Sequence, residues 1–240
     1  MRGCALAVAV CLVLHAAVAG PVLRARRAPG IVWLLLVDDL HIDFRNTGVV
    51  RAWLGSLVQE LIRDDDVFAL RTTGPSGVSV GLLAGMGDLQ QGVRRISGRA
   101  IRFEDIRQHP ESAHEVGVRA QVAMRAALDL VATAPEHDPR PRVMVYIGKG
   151  FDAADDIVQE TDSFLREAWR RAVRVIAIDV GAVRAARPSR VDPSDPEFMS
   201  RLLRTRRNSL EQLALPTNGF VLTDEASVRQ AAAAIATSIR

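Results

Sequence analysis

The amino-acid sequence predicts an α/β fold: a doubly wound, mostly parallel six-stranded sheet with one antiparallel edge strand and helices on both faces. Strand-like and helix-like segments alternate along almost the whole chain, the order that builds a parallel sheet. Residues 31–37 form an unbroken apolar run, typical of a strand buried on both faces. Turn-forming residues fill positions 72–77, and a connection that short favours a hairpin and hence an antiparallel strand.

Apolar runs and apolar periodicity locate the individual elements. Strands are expected at residues 31–37, 67–71, 78–83, 142–147, 173–178 and 220–222. Helices are expected at residues 47–63, 88–96, 116–131, 164–169, 209–215 and 226–239, with Asp88 capping the second. The Pro- and Arg-rich stretch 182–196 is typical of a surface excursion.

The first 19 residues have the pattern of an export signal: Arg2, a short apolar stretch, and the small residues 17–19 as cleavage site. A spanning helix would need about 20 apolar residues. Residues 20–29 would form a short basic linker and residues 30–240 a single domain. The alternative is a retained amino-terminal anchor, which the arginines of the linker favour.

Composition narrows the function classes. Cys4 and Cys11 both lie in the predicted signal, so we expect neither disulfides nor cysteine-ligated zinc in the mature domain. The formal net charge of +3 becomes +2 without Arg2, which does not indicate nucleic-acid binding. The densest basic cluster is explained by a solvated helix face, since no aromatic stacking partners stand nearby; it consists of Arg201, Arg204, Arg206 and Arg207.

The polar side chains that follow the first strand are the strongest functional signal, because ligands of open α/β sheets bind beyond the carboxyl ends of the strands. They are Asp38, Asp39, His41 and Asp43. Asp39 and Asp43 offer the oxygen donors that Mg²⁺ prefers, whereas the imidazole of His41 suits Zn²⁺ or Mn²⁺. A structural alternative is that Asp38 or Asp43 caps the following helix.

The order of elements over residues 30–240 resembles the von Willebrand factor A-type (VWFA) domain, a Rossmann-like fold. The segment VDDLHIDF (37–44) is similar to the opening of the VWFA-related group of acidobacterial secreted proteins, and residues 176–181 and 209–221 are similar to later segments of the family. The resemblance implies Mg²⁺ or Mn²⁺ held by D-x-S-x-S, a later threonine and a later aspartate. Here residues 39–43 read D-x-H-x-D, residues 97–100 lack a threonine, and Lys149 stands near the aspartate position.

Lys149 is the only lysine of the chain, and the fold should place it across the switch point from Asp39 and Asp43. An ammonium group there would compete with a divalent cation for the same carboxylates. We therefore predict a degenerate metal site in which Lys149 pairs with the acidic cluster. The alternative is a weakly bound Mg²⁺ or Mn²⁺ held by Asp39, His41, Asp43 and waters, with Lys149 turned outward.

The resemblance implies adhesion or complex assembly, in which a partner's carboxylate usually completes the metal shell. We expect an exported, non-enzymatic protein-binding module with no nucleic-acid partner, in which Asp38 and Lys149 belong to the binding site and Lys149 meets the partner's carboxylate directly. The alternative is a metal-dependent hydrolase or phosphotransferase of haloacid-dehalogenase or receiver type, which also places acids after a first parallel strand and a lysine after a later one.

Overall fold

The structure is a computed structural model that describes residues 30–101, 111–151, 157–180, 196–222 and 228–239. The predicted signal at residues 1–19, the linker at 20–29 and both cysteines lie outside the described residues. So does nearly all of the predicted surface excursion at 182–196. Among the described residues, no helix combines the length and the apolar character needed to cross a membrane.

A six-stranded sheet forms the centre of the molecule, with the strand order β3-β2-β1-β4-β5-β6. The strands are β1 (Val32–Val37), β2 (Val67–Thr72), β3 (Ser79–Val80), β4 (Arg142–Gly148), β5 (Val173–Asp179) and β6 (Phe220–Leu222). All neighbours pair in parallel except β2 and β3, which are antiparallel. The predicted sheet with its antiparallel edge strand is therefore confirmed.

Six helices are described: α1 (Thr47–Leu61), α2 (Met86–Arg95), α3 (Glu111–Ala132), α4 (Val158–Arg170), α5 (Pro196–Ala214) and α6 (Val228–Ile239). Apolar side chains of α1, α2 and α6 pack on one face of the sheet, and those of α3, α4 and α5 pack on the other. Strand β1 contributes Trp33, Leu35 and Val37 to the first core and the alternate residues to the second. Its unbroken apolar run is thus explained by burial on both faces.

Three local predictions need correction. Asp88 does not cap α2 from the first position; it is the third residue of the helix, and its carboxylate accepts a hydrogen bond of 3.0 Å from the N–H of the capping residue Gly85. Helix α5 begins at Pro196 rather than at 209, because proline is well suited to the first turn and the arginines continue the helix. Strand β3 is only two residues long, since its pairing with β2 ends at Val80.

The sheet has its topological switch point between β1 and β4, because β2 continues from β1 on one side and β5 continues from β4 on the other. Val37 is in register with Ile147, and the N–H of Asp38 donates to the carbonyl of Ile147 at 2.8 Å. Asp38 and Gly148 therefore meet at the carboxyl edge of the sheet. We call this region, residues 38–43 together with 148–151, the β1–β4 edge.

Candidate functional site

Asp38 is completely buried at the β1–β4 edge, and three side chains bind its carboxylate. Oδ2 accepts hydrogen bonds from the hydroxyl of Tyr146 and from Nδ1 of His41 at 2.7 Å, and Oδ1 accepts the hydroxyl of Thr73 at 2.8 Å. Burial alone would raise the pKa of Asp38, but the charge of His41 and these hydrogen bonds together hold it below its usual value. Asp38 is therefore an ionised carboxylate inside the protein.

Asp39 is also completely buried, and it fastens the hairpin loop between β2 and β3 to the end of β1. Its Oδ1 accepts the N–H of Gly74 at 2.6 Å and its Oδ2 accepts the N–H of Ser76 at 3.0 Å. The hydroxyl of Thr73 lies 3.2 Å from Oδ1. A Cβ at position 74 would come within 2.7 Å of the Leu40 side chain, which would have to shift to admit it. Asp39 therefore has a structural role: it holds the hairpin loop against the end of β1.

His41 points inward. Because Asp38 is ionised, Nδ1 of His41 carries the hydrogen that joins the two residues. The imidazole meets the edge of the Phe151 ring at a centroid distance of 5.3 Å, and Phe151 in turn packs edge-on against Tyr146 at 6.0 Å. Nε2 of His41 is buried and has no hydrogen-bond partner among the described residues. The imidazole ring of His41 thus lies between the carboxylate of Asp38 and the aromatic ring of Phe151.

Asp43 caps the short 3₁₀ turn Phe44–Asn46 that leads into α1, which is the structural role predicted as an alternative. Its carboxylate accepts the backbone N–H of Arg45 at 2.9 Å and the Arg45 guanidinium at 2.7 Å. These hydrogen bonds, with a smaller contribution from the charge of Lys149, lower the pKa of Asp43 to about 2. Asp43 is therefore ionised and bound to its own neighbour.

Lys149 lies half-buried where β4 ends. Burial and the charge of Arg206 lower its pKa, while the carboxylates of Asp43 and Asp179 oppose that shift. The ion pairs described for Asp38 and Asp43 are made by His41 and Arg45 respectively, so the predicted pairing of Lys149 with the acidic cluster is not among the described contacts. Lys149 is therefore surrounded by charged side chains of both signs, with Arg206 on one side of the balance and Asp43 and Asp179 on the other.

Helix α5 fixes the loop that carries Lys149. The N–H of Phe151 donates to the hydroxyl of Ser209 at 2.8 Å, and this hydroxyl donates to the carbonyl of Arg206 at 2.6 Å. Gly150 has a φ of +76°, and a Cβ there would lie 2.1 Å from the same carbonyl. Only glycine satisfies both the backbone conformation and the close approach. The position of Lys149 is therefore set by α5.

Residues 97–100, which occupy the place of the family's threonine loop, lie against the acidic segment as the resemblance implies. The N–H of Arg99 donates to the carbonyl of Asp39 at 2.7 Å, and the N–H of Ala100 donates to the carbonyl of Ile42 at 3.0 Å. The contact is made by backbone groups; the loop lacks the threonine of the family, and its one hydroxyl belongs to Ser97. Thr73 of the hairpin loop, which is not among the predicted site residues, donates its hydroxyl to Asp38.

The residues predicted to hold Mg²⁺ or Mn²⁺ do not fit such an ion in this arrangement. Mg²⁺ needs about six oxygen ligands and usually retains several waters. Both oxygens of Asp39 accept backbone N–H groups in a fully buried position, His41 faces Asp38 and Phe151, and Asp43 is bound to Arg45. No group of three potential metal ligands lies within the part of the chain that the structure describes. The ligand assignment stays a prediction.

Two side chains that bind Asp38 at this edge, those of Tyr146 and Thr73, are not among the predicted site residues. Tyr146 is the only tyrosine of the chain and occupies a predicted buried strand. A buried phenol normally has a hydrogen-bond partner, so its presence there was the available signal for a polar group on the neighbouring strand. Thr73 carried no comparable signal, because turn sequences are rich in threonine and serine for local reasons.

The comparisons with known proteins bear on the fold alone. No protein-family model and no curated protein matches the sequence. A solved structure of an aerotolerance-related membrane protein from Bacteroides fragilis NCTC 9343, with multiple mutations to serines, is similar with a TM-score of 0.52 and 13% identity. It covers 88% of this chain and 98% of the other. The fold is consistent with the VWFA type.

A second structure, of the conserved hypothetical protein BatB from Bacteroides thetaiotaomicron, has 14% identity, covers 88% of this chain and 97% of the other, and has a TM-score of 0.48. That likeness is too low to support an argument. At such identities, a structural likeness bears on the fold alone, and the six-stranded sheet is consistent with a VWFA-type fold. The function of the β1–β4 edge has to come from its own geometry.

Proposed function

We propose that this chain is an exported, non-enzymatic protein-binding module of the VWFA type. Its β1–β4 edge binds an acidic group of the partner through Lys149, without a metal ion between them. One observation carries the proposal: Asp38 and Asp39, the carboxylates at the end of β1, are fully buried and bound by groups of the same chain. They are therefore committed to holding the edge together.

The charges around Lys149 favour an anionic partner group. Burial contributes most to the lowered pKa of Lys149, repulsion by the charges of Arg206 and Arg45 adds to it, and the charges of Asp43 and Asp179 oppose the shift. A carboxylate of the partner, bound beside Lys149, would reduce that repulsion and form a charge-assisted hydrogen bond. Lys149 is partly exposed and is therefore accessible to such a group.

The same contacts support a binding role over a hydrolase or phosphotransferase. In those enzymes an aspartate after the first strand attacks phosphorus or carbon, and it needs an oxygen that the substrate can reach. Every carboxylate oxygen of Asp38 and Asp39 accepts at least one hydrogen bond, and neither residue is exposed. Exposing either carboxylate to a substrate would break hydrogen bonds that hold the hairpin loop against the end of β1.

An exported location rests on the predicted signal at residues 1–19 and agrees with the structural neighbour described as an aerotolerance-related membrane protein. Both observations fit a domain that acts at or beyond the membrane. The partner would then be another component of that compartment.

The test uses the fact that Lys149 is the only lysine of the chain. Carbodiimide crosslinking in the producing cells joins an amine directly to a carboxylate, so mass spectrometry should find Lys149 bonded to an aspartate or glutamate of one partner. The matched control is Lys149→Arg, which keeps the charge but removes the reactive amine and should lose the crosslink.

The affinity for that partner then distinguishes direct binding by Lys149 from binding through a metal ion. Lys149→Arg should keep most of the affinity, Lys149→Met should weaken binding by about tenfold or more through loss of a charge-assisted hydrogen bond, and a chelator should have no effect. Loss of binding on chelation, or full binding by Lys149→Met, would overturn the proposal. Turnover of a phosphate monoester by the purified protein would overturn the non-enzymatic assignment.

A further inference from the structure

Phe44 is an exposed aromatic residue beside the β1–β4 edge. It opens the short 3₁₀ turn Phe44–Asn46 and directly follows Asp43, the last residue of the acidic segment. Phe44 is 66% exposed, and the turn contains no buried residue. Its ring belongs to neither of the two hydrophobic cores that cover the faces of the sheet. Packing within the described part of the chain therefore does not account for an aromatic residue at this position.

Hydrogen bonds hold the turn that carries Phe44 in one conformation. The carboxylate of Asp43 accepts the N–H of Arg45 at 2.9 Å, and the carbonyl of Asp43 accepts the N–H of Asn46 at 2.9 Å. The N–H of Thr47 donates to the carbonyl of Phe44 itself. A partner that covers the phenyl ring therefore meets a backbone that is already ordered, so binding costs little conformational entropy.

The turn lies within electrostatic range of Lys149. The charges of Asp43 and Arg45, the two neighbours of Phe44 in the sequence, both act on the Lys149 ammonium. Phe44 is thus carried between two residues that lie near the proposed binding group. A short segment of a partner that reaches Lys149 with one side chain can cover Phe44 with a neighbouring side chain.

The charges around Lys149 restrict what such a segment can contain. The carboxylate of Asp43 is paired with Arg45 at 2.7 Å, so the surface on either side of Phe44 carries one charge of each sign. Asp179 adds a second carboxylate to the surroundings of Lys149. A run of acidic residues would meet both carboxylates, and like charges brought together oppose binding. A single acid beside an apolar side chain avoids that repulsion.

We infer that Phe44 is the apolar half of the binding site: the partner presents an acidic residue to Lys149 and, a few positions away, an apolar side chain to Phe44. This inference rests on the proposed function and specifies the partner segment. Aromatic side chains dominate many protein interfaces, because they bury a large area with few rotatable bonds. An exposed ion pair alone contributes little. The contact with Phe44 therefore supplies much of the affinity.

The test measures the carbodiimide crosslink between Lys149 and a partner carboxylate, in producing cells, for chains substituted at Phe44. Phe44→Ser removes the apolar surface and should lower the crosslink yield at least about fivefold, whereas Phe44→Leu keeps an apolar side chain and should retain most of the yield. The matched control is Leu83→Ser. Leu83 is fully exposed and follows β3, which lies two strands away from β1, so this substitution should leave the yield unchanged.

Salt dependence separates the apolar contact from the ion pair. The affinity of the crosslinked partner for the full chain is measured by fluorescence anisotropy. Phe44→Ser should weaken binding by the same factor at low and at high ionic strength, while the loss caused by Lys149→Met should shrink as salt is added, because exposed charges are screened. In the partner, an apolar residue should lie within about four positions of the crosslinked acid, the spacing of side chains on one face.

Three results would overturn this inference and leave the proposed function standing. They are a Lys149 crosslink that Phe44→Ser leaves undiminished, an equal loss in Leu83→Ser, and a crosslinked acid that lies within a run of acidic residues. Absence of any Lys149 crosslink in the parent chain, or full binding by Lys149→Met, would overturn the proposed function and this inference with it. Phe44→Ala replaces Phe44→Ser if thermal unfolding shows that the serine variant does not fold.

Discussion

Tyr146 donates its phenolic hydrogen to Asp38, and both residues are completely buried although 108 positions separate them in the sequence. Burial and the negative charge of Asp38 raise the pKa of Tyr146 well above its usual value, so the phenol remains a hydrogen-bond donor. A Cβ on residue 148 would come within 3.2 Å of both Tyr146 and Asp38. The absence of a side chain on Gly148 therefore leaves room for these two residues to meet. The hydrogen bond joins β1 to β4 at the switch point.

Removing this donor should destabilise the fold. Tyr146→Phe leaves the Asp38 carboxylate buried with one hydrogen bond fewer, and an underpaired buried charge costs about 1–3 kcal/mol. Urea denaturation followed by circular dichroism measures the free energy of unfolding. Ser56→Ala, which removes a hydroxyl from the exposed surface of α1, should change it by less than about 0.5 kcal/mol. Equal effects of the two substitutions would contradict the role of the phenol.

Stability should fall in acid through Asp38 and Asp43. Both have pKa values in the folded protein below the ordinary 3.8, that of Asp43 being about 2. A carboxyl group whose pKa is lowered by folding stabilises the protein above its unfolded pKa, and this contribution disappears as the pH falls through the folded pKa. The loss should therefore occur below about pH 4.

Asp38→Asn tests the contribution of Asp38 to this acid dependence. The variant should be less stable than the parent at pH 7, and its free energy of unfolding should depend less on pH between about 4 and 2. Asp64→Asn, at an exposed aspartate that follows α1, is the matched control and should leave the slope unchanged. An unaltered slope in Asp38→Asn would show that Asp38 is not ionised in the folded state.

Gly150 and Gly48 should respond in opposite directions to the same substitution. Gly150→Ala places a Cβ at positive φ and 2.1 Å from the carbonyl of Arg206, so it should destabilise the protein by more than about 1 kcal/mol. Gly48→Ala meets open space in α1 and should stabilise it by up to about 1 kcal/mol. Thermal unfolding of both variants provides the comparison, and a destabilising Gly48→Ala would refute the assignment of open space.

Divalent cations should leave the protein unchanged. Because the carboxylates of Asp39 and Asp43 are bound by groups of the chain, adding Mg²⁺ or Mn²⁺ at millimolar concentration, or adding a chelator, should not shift the melting temperature. Isothermal titration with Mn²⁺ is the direct measurement. Micromolar affinity that Asp39→Asn abolishes would restore the metal-site alternative.

The sequence was sufficient for the architecture but not for the chemistry of the edge. The run at residues 31–37 had no polar alternation, and only burial on both faces of a sheet accounts for that, so the fold class followed from local information. The partners of Asp38 are set by strand pairing instead. Thr73 lies 35 positions away and Tyr146 lies 108 positions away, and no local pattern relates them.

Lys149 illustrates the same limit. Topology placed it correctly at the switch point, since β1 and β4 are neighbours. Which carboxylate an ammonium meets depends on competition, however, and Arg45 is two residues from Asp43 and binds it through both its backbone and its guanidinium. Residues 196–208 of helix α5 were not predicted as an element, although the arginines at 201–207 were assigned to a helix face, because prolines and arginines are common in loops as well as in exposed first turns.

The strands at the two ends of the sheet have a consequence for how other molecules can associate with this domain. β3 has two residues and β6 has three, so each border presents very few backbone groups to a foreign chain. An added strand would find too short a template for stable pairing, and fibre-like growth from these borders is disfavoured. A partner of the described part of the domain would therefore meet side chains and not a strand edge, which would make the proposed binding responsive to single substitutions.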